Sequence, residues 1–276
     1  MMRRLSARLG RGVRIAGAFL EIGWSTAAKY PLSFVSLLLR PVVPVIMFFF
    51  VAQLVPSGGS VGGDYFTFTV IGFVVMEGLA GALSGVNIEV QTAIQQGRFE
   101  MLLVEPIRWS VLPFGLALFP IALRVVFAGL ASLLALTLGA RLSWSGLLPA
   151  LTVGFLAMLA SLAIGVLSSS VGILSKRSDP VLTAYTLLVG ILSGVAFPLE
   201  LLPPIVRGVS WLIPHTYAIS AIRRLLLPEG GELGGPTVAQ AVVALMVFNL
   251  VVYPLIVWLY GRIMDAGRRT GMLAGY

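Results

Sequence analysis

Two charged residues lie deep inside long apolar runs, where an ionised side chain is costly. Glu77 is near the middle of one run and Arg124 is near the middle of the next. At about 1.5 Å per helical residue, both fall at a similar depth. An unpaired charge there costs roughly 2.5–3.5 kcal/mol. We therefore predict that Glu77 and Arg124 form an intramembrane ion pair that fixes helix packing, or that one of them lines a watery pathway with a substrate or gating role.

The sequence contains no recognisable catalytic or metal-binding set. It has no Gly-x-x-x-x-Gly-Lys-Ser/Thr loop, which is the element that cradles nucleotide phosphates. It has no cysteine and a single histidine, His215, so a His or Cys metal cluster is excluded. His215 follows Pro214 on the expected outer side, and we predict that it is wetted at the membrane interface. The chain is therefore expected not to be an enzyme and to bind no metal or cofactor of its own.

The elements that must position these residues are membrane-spanning helices. The 276-residue chain is 58% hydrophobic and 11% charged, with a mean hydropathy of +0.99. Soluble proteins contain about 25% charged residues. The apolar runs are continuous rather than alternating, so they indicate helices and not the strands of an outer-membrane barrel. The predicted fold class is an all-α polytopic membrane protein made of one domain, residues 1–276.

Six apolar stretches are long enough to span, because about 20 residues cross the hydrocarbon core. The second span contains Gly81-Ala-Leu-Ser-Gly85, a spacing of small residues that lets helices approach closely. The predicted spans are, with approximate ends set by this length, about 32–55, 65–88, 109–139, 146–174, 180–197 and 237–261.

Residues 3–28 are predicted to form an amphipathic helix in the cytoplasmic interface. Apolar residues recur there at helical spacing, and four arginines share the opposite side: Arg4, Arg8, Arg11 and Arg14. Such a helix rests its apolar face in the membrane and turns its arginines toward anionic lipid. Glycines at 10, 12 and 17 leave open the alternative of a loosely ordered basic tail.

The distribution of positive charge indicates the topology. The net charge is +8, but the basic residues cluster at span ends and do not form the single patch that nucleic acid requires. With the N-terminus inside, the cytoplasmic segments contain most of the Lys and Arg residues, in agreement with the positive-inside rule. We therefore expect six spans with both termini in the cytoplasm, and no nucleic-acid partner.

Two segments outside the spans have distinctive patterns. Residues 89–108 form the longest polar stretch between early spans. After the fifth span, prolines divide the apolar sequence into pieces at 200–212 and 215–227. Each piece is too short to cross the membrane. We therefore predict short re-entrant or interfacial helices over residues 200–227 on the outer side.

Both segments resemble those of one family, the type-2 permeases that form the membrane subunits of ABC exporters. The inner stretch resembles the coupling helix of this family through Gln95, Gly97, Arg98, Phe99, Glu100 and Pro106. The resemblance implies a short coupling helix at about residues 92–106. The outer stretch resembles the signature that precedes the last span through Phe197, Pro198, Glu200, Pro203, Pro214, Tyr217 and Arg223. The outer motif is most similar to the drug-resistance branch of the family.

The resemblance implies a division of labour between subunits. Two copies of an ABC ATPase subunit, which bind ATP and Mg, would dock on the inner stretch, and the six residues named there would couple hydrolysis to movement. A second permease subunit, giving a homodimer or a heterodimer, would complete the pathway. The seven outer residues would form a gate or exit. The assembly would lie among lipids of the plasma (inner) membrane of a prokaryote.

The implied function is the permease subunit of an ATP-driven exporter. The predicted spans contain little charge apart from Glu77 and Arg124, so a hydrophobic or amphipathic, drug- or antibiotic-like cargo suits them better than a soluble ion. Export of a lipid-linked polysaccharide, glycolipid or lipooligosaccharide by the same machinery is the alternative. A passive channel or ion-coupled carrier would need several acidic residues at mid-membrane, and only Glu77 qualifies.

Overall fold

The computed structural model describes residues 39–54, 65–95, 112–175, 180–228 and 235–270, with scattered positions between 17 and 29. The continuous ranges form helices and two short 3-10 turns, Trp144–Gly146 and Leu199–Leu201, and they contain no strand. The helices are α1 (Val42–Leu54), α2 (Tyr65–Gln95), α3 (Leu112–Thr137), α4 (Leu147–Ser175), α5 (Pro180–Leu192), α6 (Pro204–Ser210), α7 (Pro214–Leu226) and α8 (Val238–Thr270). The prediction of an all-α polytopic membrane protein is confirmed.

Four of the described helices are long and apolar enough to cross a membrane. They are α2 with 31 residues, α3 with 26, α4 with 29 and α8 with 33. α1 and α5 have 13 residues each. That is about 20 Å of helix, which is shorter than the roughly 30 Å thickness of the hydrocarbon core.

Helix ends differ from the expected span ends for local chemical reasons. α2 continues to Gln95 instead of ending near residue 88, because no proline or glycine interrupts residues 86–96. α5 ends at Leu192 instead of near residue 197, because Gly194 has a φ of 74° and a left-handed residue terminates a helix. α8 extends to Thr270, beyond the expected end at 261.

Parts of two predicted elements lie outside the described residues. In the predicted interfacial helix at 3–28, positions 17, 20, 21, 23, 24 and 25 are helical, and its four arginines are not described. Residues 92–95 of the predicted coupling helix form the last turn of α2, whereas residues 96–111 are not described.

α2 is the central helix of the described structure and packs against α1, α3, α4 and α7. A Cβ atom at Gly81 would lie 2.5 Å from the carbonyl oxygen of Pro120 in α3, and one at Gly85 would lie 2.8 Å from the Pro120 side chain. On another side, a Cβ at Gly165 in α4 would lie 2.5 Å from the carbonyl oxygen of Leu83. These backbone approaches require glycine, so α2 is held firmly between α3 and α4.

α8 and α7 have opposite environments. Many apolar side chains of α8 are exposed: Val243, Met246, Val247, Leu250, Val251, Leu255 and Trp258. Exposed apolar faces are expected of helices that border lipid, because lipid tails are as apolar as these side chains. α7 is only 13 residues long, yet most of its residues are buried, and it packs among α2, α4 and α8.

Candidate functional site

The structure brings Glu77 of α2 and Arg124 of α3 together. Arg124 Nη1 donates a hydrogen bond to Glu77 Oε1, and both side chains are largely buried. The backbones around the pair are close, since a Cβ at Gly78 would lie 3.7 Å from the Cβ of Ala128. Pairing neutralises two charges that would each be costly in lipid. In this arrangement the ion pair links two helices that also pack through the Gly81 contact.

A second buried arginine, Arg223 of α7, is 3% exposed and is held by main-chain carbonyl groups. Its Nε donates to the Phe68 oxygen at 3.0 Å, and its Nη1 donates to the Gly194 oxygen at 2.5 Å. Its Nη2 donates to the oxygen of Val195. The guanidinium also lies over the Phe68 ring, with Cζ 3.6 Å from the ring centroid, a favourable cation–π geometry.

Two of the carbonyl groups that Arg223 binds, those of Gly194 and Val195, lie beyond the last residue of α5. We call residues 193–203, between α5 and α6, the break segment. Its Gly194 and Val195 carbonyls accept from Arg223, and its Ala196 carbonyl accepts from the Tyr65 hydroxyl at 3.2 Å. Backbone groups released from a helix in an apolar environment need such partners. Side chains of α7 and α2 therefore replace the hydrogen bonds that α5 loses where it ends.

Gly72 in α2 leaves the space that the guanidinium occupies. A Cβ at this position would overlap Nη2 of Arg223 and would lie 2.6 Å from the carbonyl oxygen of Val195. The contact among α2, α7 and the break segment therefore depends on a residue without a side chain as well as on the arginine.

The seven residues predicted to form an outer gate differ in their exposure. Three are buried: Pro198, Pro214 and Arg223. Two are exposed, Glu200 and Pro203, and two are half-buried, Phe197 and Tyr217. Pro203 is the N-cap of α6 and Pro214 is near the start of α7, where a missing N–H costs nothing. Most of these residues shape the break in the helix.

Of the six residues predicted to couple to an ATPase, Gln95 is the last residue of α2. The other five lie outside the described residues: Gly97, Arg98, Phe99, Glu100 and Pro106. α2 therefore connects the Arg223 contact at one end with the start of the predicted coupling set at the other.

The prediction of a wetted His215 is wrong, because this side chain is 1% exposed. Its Nε2 lies 3.2 Å from Ser161 Oγ in α4, and its Nδ1 lies 3.0 Å from the Tyr185 hydroxyl in α5. Ser161 Oγ donates to the Ala157 carbonyl at 2.8 Å, so it accepts from His215. Tyr185 then donates to Nδ1. The histidine is buried because α7 packs inward, and it links three helices.

A neutral contact fixes the C-terminal half of α2. Asn87 Nδ2 donates to Ser168 Oγ of α4 at 3.1 Å, and both side chains are buried. Nearby, a Cβ at Gly172 would lie 3.1 Å from Gln91 Nε2. Sequence reasoning did not identify these residues, nor Ser161, Tyr185 and Gly72; the available signal was a polar or small residue inside an apolar run.

Comparison with known proteins places the chain in a family. Residues 19–227 match the model of the ABC-2 type transporter family, a range that includes both the predicted coupling set and the break segment. The inner membrane transport permease YadH of Escherichia coli K12 is 31% identical over 229 residues, which cover 80% of this chain and 88% of that protein. The YadH permeases of Escherichia coli O157:H7 and Shigella flexneri match to the same extent. The chain therefore belongs to the ABC-2 type transporter family and is a membrane permease of an ABC transporter.

Proposed function

We propose that this chain forms the translocation pathway of an ATP-driven exporter in the inner membrane of a prokaryote, with both termini in the cytoplasm. The observation that carries the proposal is the continuity of α2, which runs from the Arg223 contact to Gln95. Its 31 residues correspond to about 46 Å, enough to join the two faces of a membrane. The inner-membrane location is also supported by the name of the YadH relatives.

The energy source is a separate subunit. This sequence has no phosphate-binding loop, so ATP and Mg bind to an ABC ATPase partner, present in two copies. The partner docks on the segment that follows Gln95, through Gly97, Arg98, Phe99, Glu100 and Pro106. A second permease subunit, identical or different, completes the pathway. Closure of the ATPase pair then displaces the end of α2.

The cargo is a hydrophobic or amphipathic small molecule of drug or antibiotic type. The described mid-helix charges support this proposal, because Glu77 is neutralised by Arg124 and does not offer a free charge to a soluble ion. A lipid-linked polysaccharide, glycolipid or lipooligosaccharide is the second candidate, handled by the same machinery. Proteoliposome export assays with a hydrophobic dye and with a lipid-linked sugar separate the two cargo classes.

Co-purification with the ATPase tests the proposed coupling. In a complex of the full chain with its ATPase, Glu100→Arg should lower bound ATPase and ATP hydrolysis about tenfold or more, because a reversed charge at a docking surface costs several kcal/mol. Glu200→Arg is the matched control, since Glu200 is an exposed glutamate on the break segment, and it should leave both quantities unchanged. Equal losses in the two variants, or a parental chain that binds no ATPase, would contradict the proposal.

A further inference from the structure

We propose that Arg223 is a positioning residue that fastens the break segment and α7 to α2, so that displacement of α2 moves the break segment with it. The fastening is a property of this chain alone. The source of the displacement, an ATPase acting beyond Gln95, rests on the proposed function. Arg223 is 3% exposed, so it acts through the elements that it joins and not by contact with cargo.

The donors of Arg223 reach two separate elements at once, and a third element carries the residue. Nε points to Phe68 in α2, whereas Nη1 and Nη2 point to Gly194 and Val195 in the break segment. The guanidinium itself is carried by α7. A guanidinium is a rigid planar fork with several donors, whereas a lysine ammonium is a compact point charge on a flexible stem. Only arginine can therefore hold these elements in this fixed arrangement.

The free-energy cost of burying the Arg223 cation indicates that this residue has a specific role. Burying a cation without a carboxylate is unfavourable unless other polar groups satisfy it, and an apolar side chain would fill the same space at lower cost. Here the cation is satisfied by carbonyl groups of Gly194 and Val195, which have left the helical pattern at the end of α5. The arginine and the break therefore depend on each other, and loss of either releases the other.

α2 is suited to transmit a displacement to this contact. It contains no proline, and its packing against Pro120 and Gly165 leaves no room for it to bend away. Phe68 and Gly72, which meet Arg223, lie within its first eight residues, and Gln95 is its last residue. Movement at one end of a rigid, tightly packed helix reaches the other end, and Arg223 passes it to the break segment.

The absence of cysteine from the sequence permits a direct test by paired spin labels on the full permease, with no ATPase present. Labels at Ile88→Cys in α2 and Leu201→Cys in the break segment use positions that are 51% and 65% exposed. Arg223→Lys and Gly72→Ala each disrupt the contact from a different side. Each should broaden the label-to-label distance distribution at least about twofold, because an element that loses its fixing contacts samples more conformations.

Two controls match these variants. Gly78→Ala lies on the same helix as Gly72, and its added methyl group would have ordinary contact at 3.7 Å. Arg224→Lys alters the neighbouring arginine, whose Nη2 donates to Gly235. Both should keep the parental width, and combining Arg223→Lys with Gly72→Ala should add little to either alone. If the distance distribution keeps its parental width in both test variants, Arg223 does not fasten the break segment to α2. Equal broadening in the two controls would also contradict the proposal.

A second readout separates positioning from folding. In the complex with its ATPase, Arg223→Lys should reduce cargo export about tenfold or more per ATP hydrolysed while hydrolysis remains within about twofold of the parental rate, since energy is still consumed but not delivered. A parallel fall of export and hydrolysis would overturn the positioning role. A parental chain without any ATPase partner would contradict the proposed function instead, and the distance widths would then decide the fastening by themselves.

Discussion

Two buried arginines satisfy their charge in different ways. Arg124 is paired with the carboxylate of Glu77 on the adjacent long helix, whereas Arg223 is held by main-chain carbonyls of Phe68, Gly194 and Val195. The first contact joins two helices whose backbones would pack closely without it. The second joins a stretch that has few other regular hydrogen bonds. A side-chain pair can be replaced by another pair, but carbonyl acceptors cannot be substituted, so the two contacts should respond differently to mutation.

The largest effect is expected for Arg223→Leu. The Gly194 and Val195 carbonyls would lose their donor, and each unsatisfied buried group costs about 1–3 kcal/mol. The free energy of unfolding should therefore fall by roughly 2–6 kcal/mol, measured by denaturant titration in detergent micelles. Arg223→Lys should retain part of the stability. Stability equal to that of the parental chain in Arg223→Leu would show that the carbonyls do not depend on this residue.

Arg124→Leu should cost about 3–5 kcal/mol, because it leaves Glu77 as an uncompensated buried charge. Unlike the stability lost at the Arg223 contact, the stability lost here should be recoverable by a second substitution. The double variant Glu77→Leu/Arg124→Leu should regain most of the stability, and the charge swap Glu77→Arg/Arg124→Glu should be better than either of its single changes. Thermal unfolding of the five variants, which are Arg124→Leu, the two double variants and the two single changes of the charge swap, provides the comparison. If neither double variant is more stable than its single changes, Glu77 and Arg124 do not stabilise the protein by charge pairing.

Gly81→Ala tests the close backbone approach of α2 and α3, which holds these helices together in addition to the Glu77–Arg124 ion pair. The added methyl group would lie 2.5 Å from the Pro120 carbonyl oxygen and 2.7 Å from the Ile121 Cα. Overpacking against backbone costs about 1–3 kcal/mol. Gly129→Ala is the control, because a Cβ there meets no atom within 4 Å and should slightly stabilise α3. Equal stabilisation by both alanines would mean that α2 and α3 are less tightly packed than described.

Tyr185→Phe should have the smallest effect. It removes the hydroxyl that donates to His215 Nδ1 at 3.0 Å, and the net loss of one such hydrogen bond is about 0.5–1.5 kcal/mol. Tyr217→Phe retains the ring that packs near Trp211 and serves as the control. The melting temperature of each variant is measured by calorimetry. An identical value for both would show that the His215 contact does not stabilise the packing of α5 against α7.

Sequence reasoning identified the features that depend on composition and length. Continuous apolar runs predicted the long helices, and prolines marked the break after the fifth span. The similar depth of Glu77 and Arg124 in neighbouring apolar runs predicted their pairing. These signals are local, because they follow from the residues within one segment. The resemblance to type-2 ABC permeases, which the family match confirms, rested on motifs of the same local kind.

The remaining features depend on tertiary packing and could not be read from one segment. His215 was expected at a wet interface, but α7 folds inward and buries it. The partners of Arg223 are main-chain carbonyls, which every residue possesses and which therefore leave no signature in the sequence. Gly72 is one glycine among 31, and its importance is apparent only once the guanidinium lies against it.

The proposed function requires that the segment after α2 face the cytoplasm, where an ATPase can act on it. The cysteine-free sequence allows two single-cysteine variants, Arg98→Cys in that segment and Glu200→Cys in the break segment, to be treated with a membrane-impermeant maleimide in intact cells. We expect that Glu200→Cys is labelled at once and that Arg98→Cys is labelled only after the membrane is permeabilised. Labelling of Arg98→Cys in intact cells would contradict it.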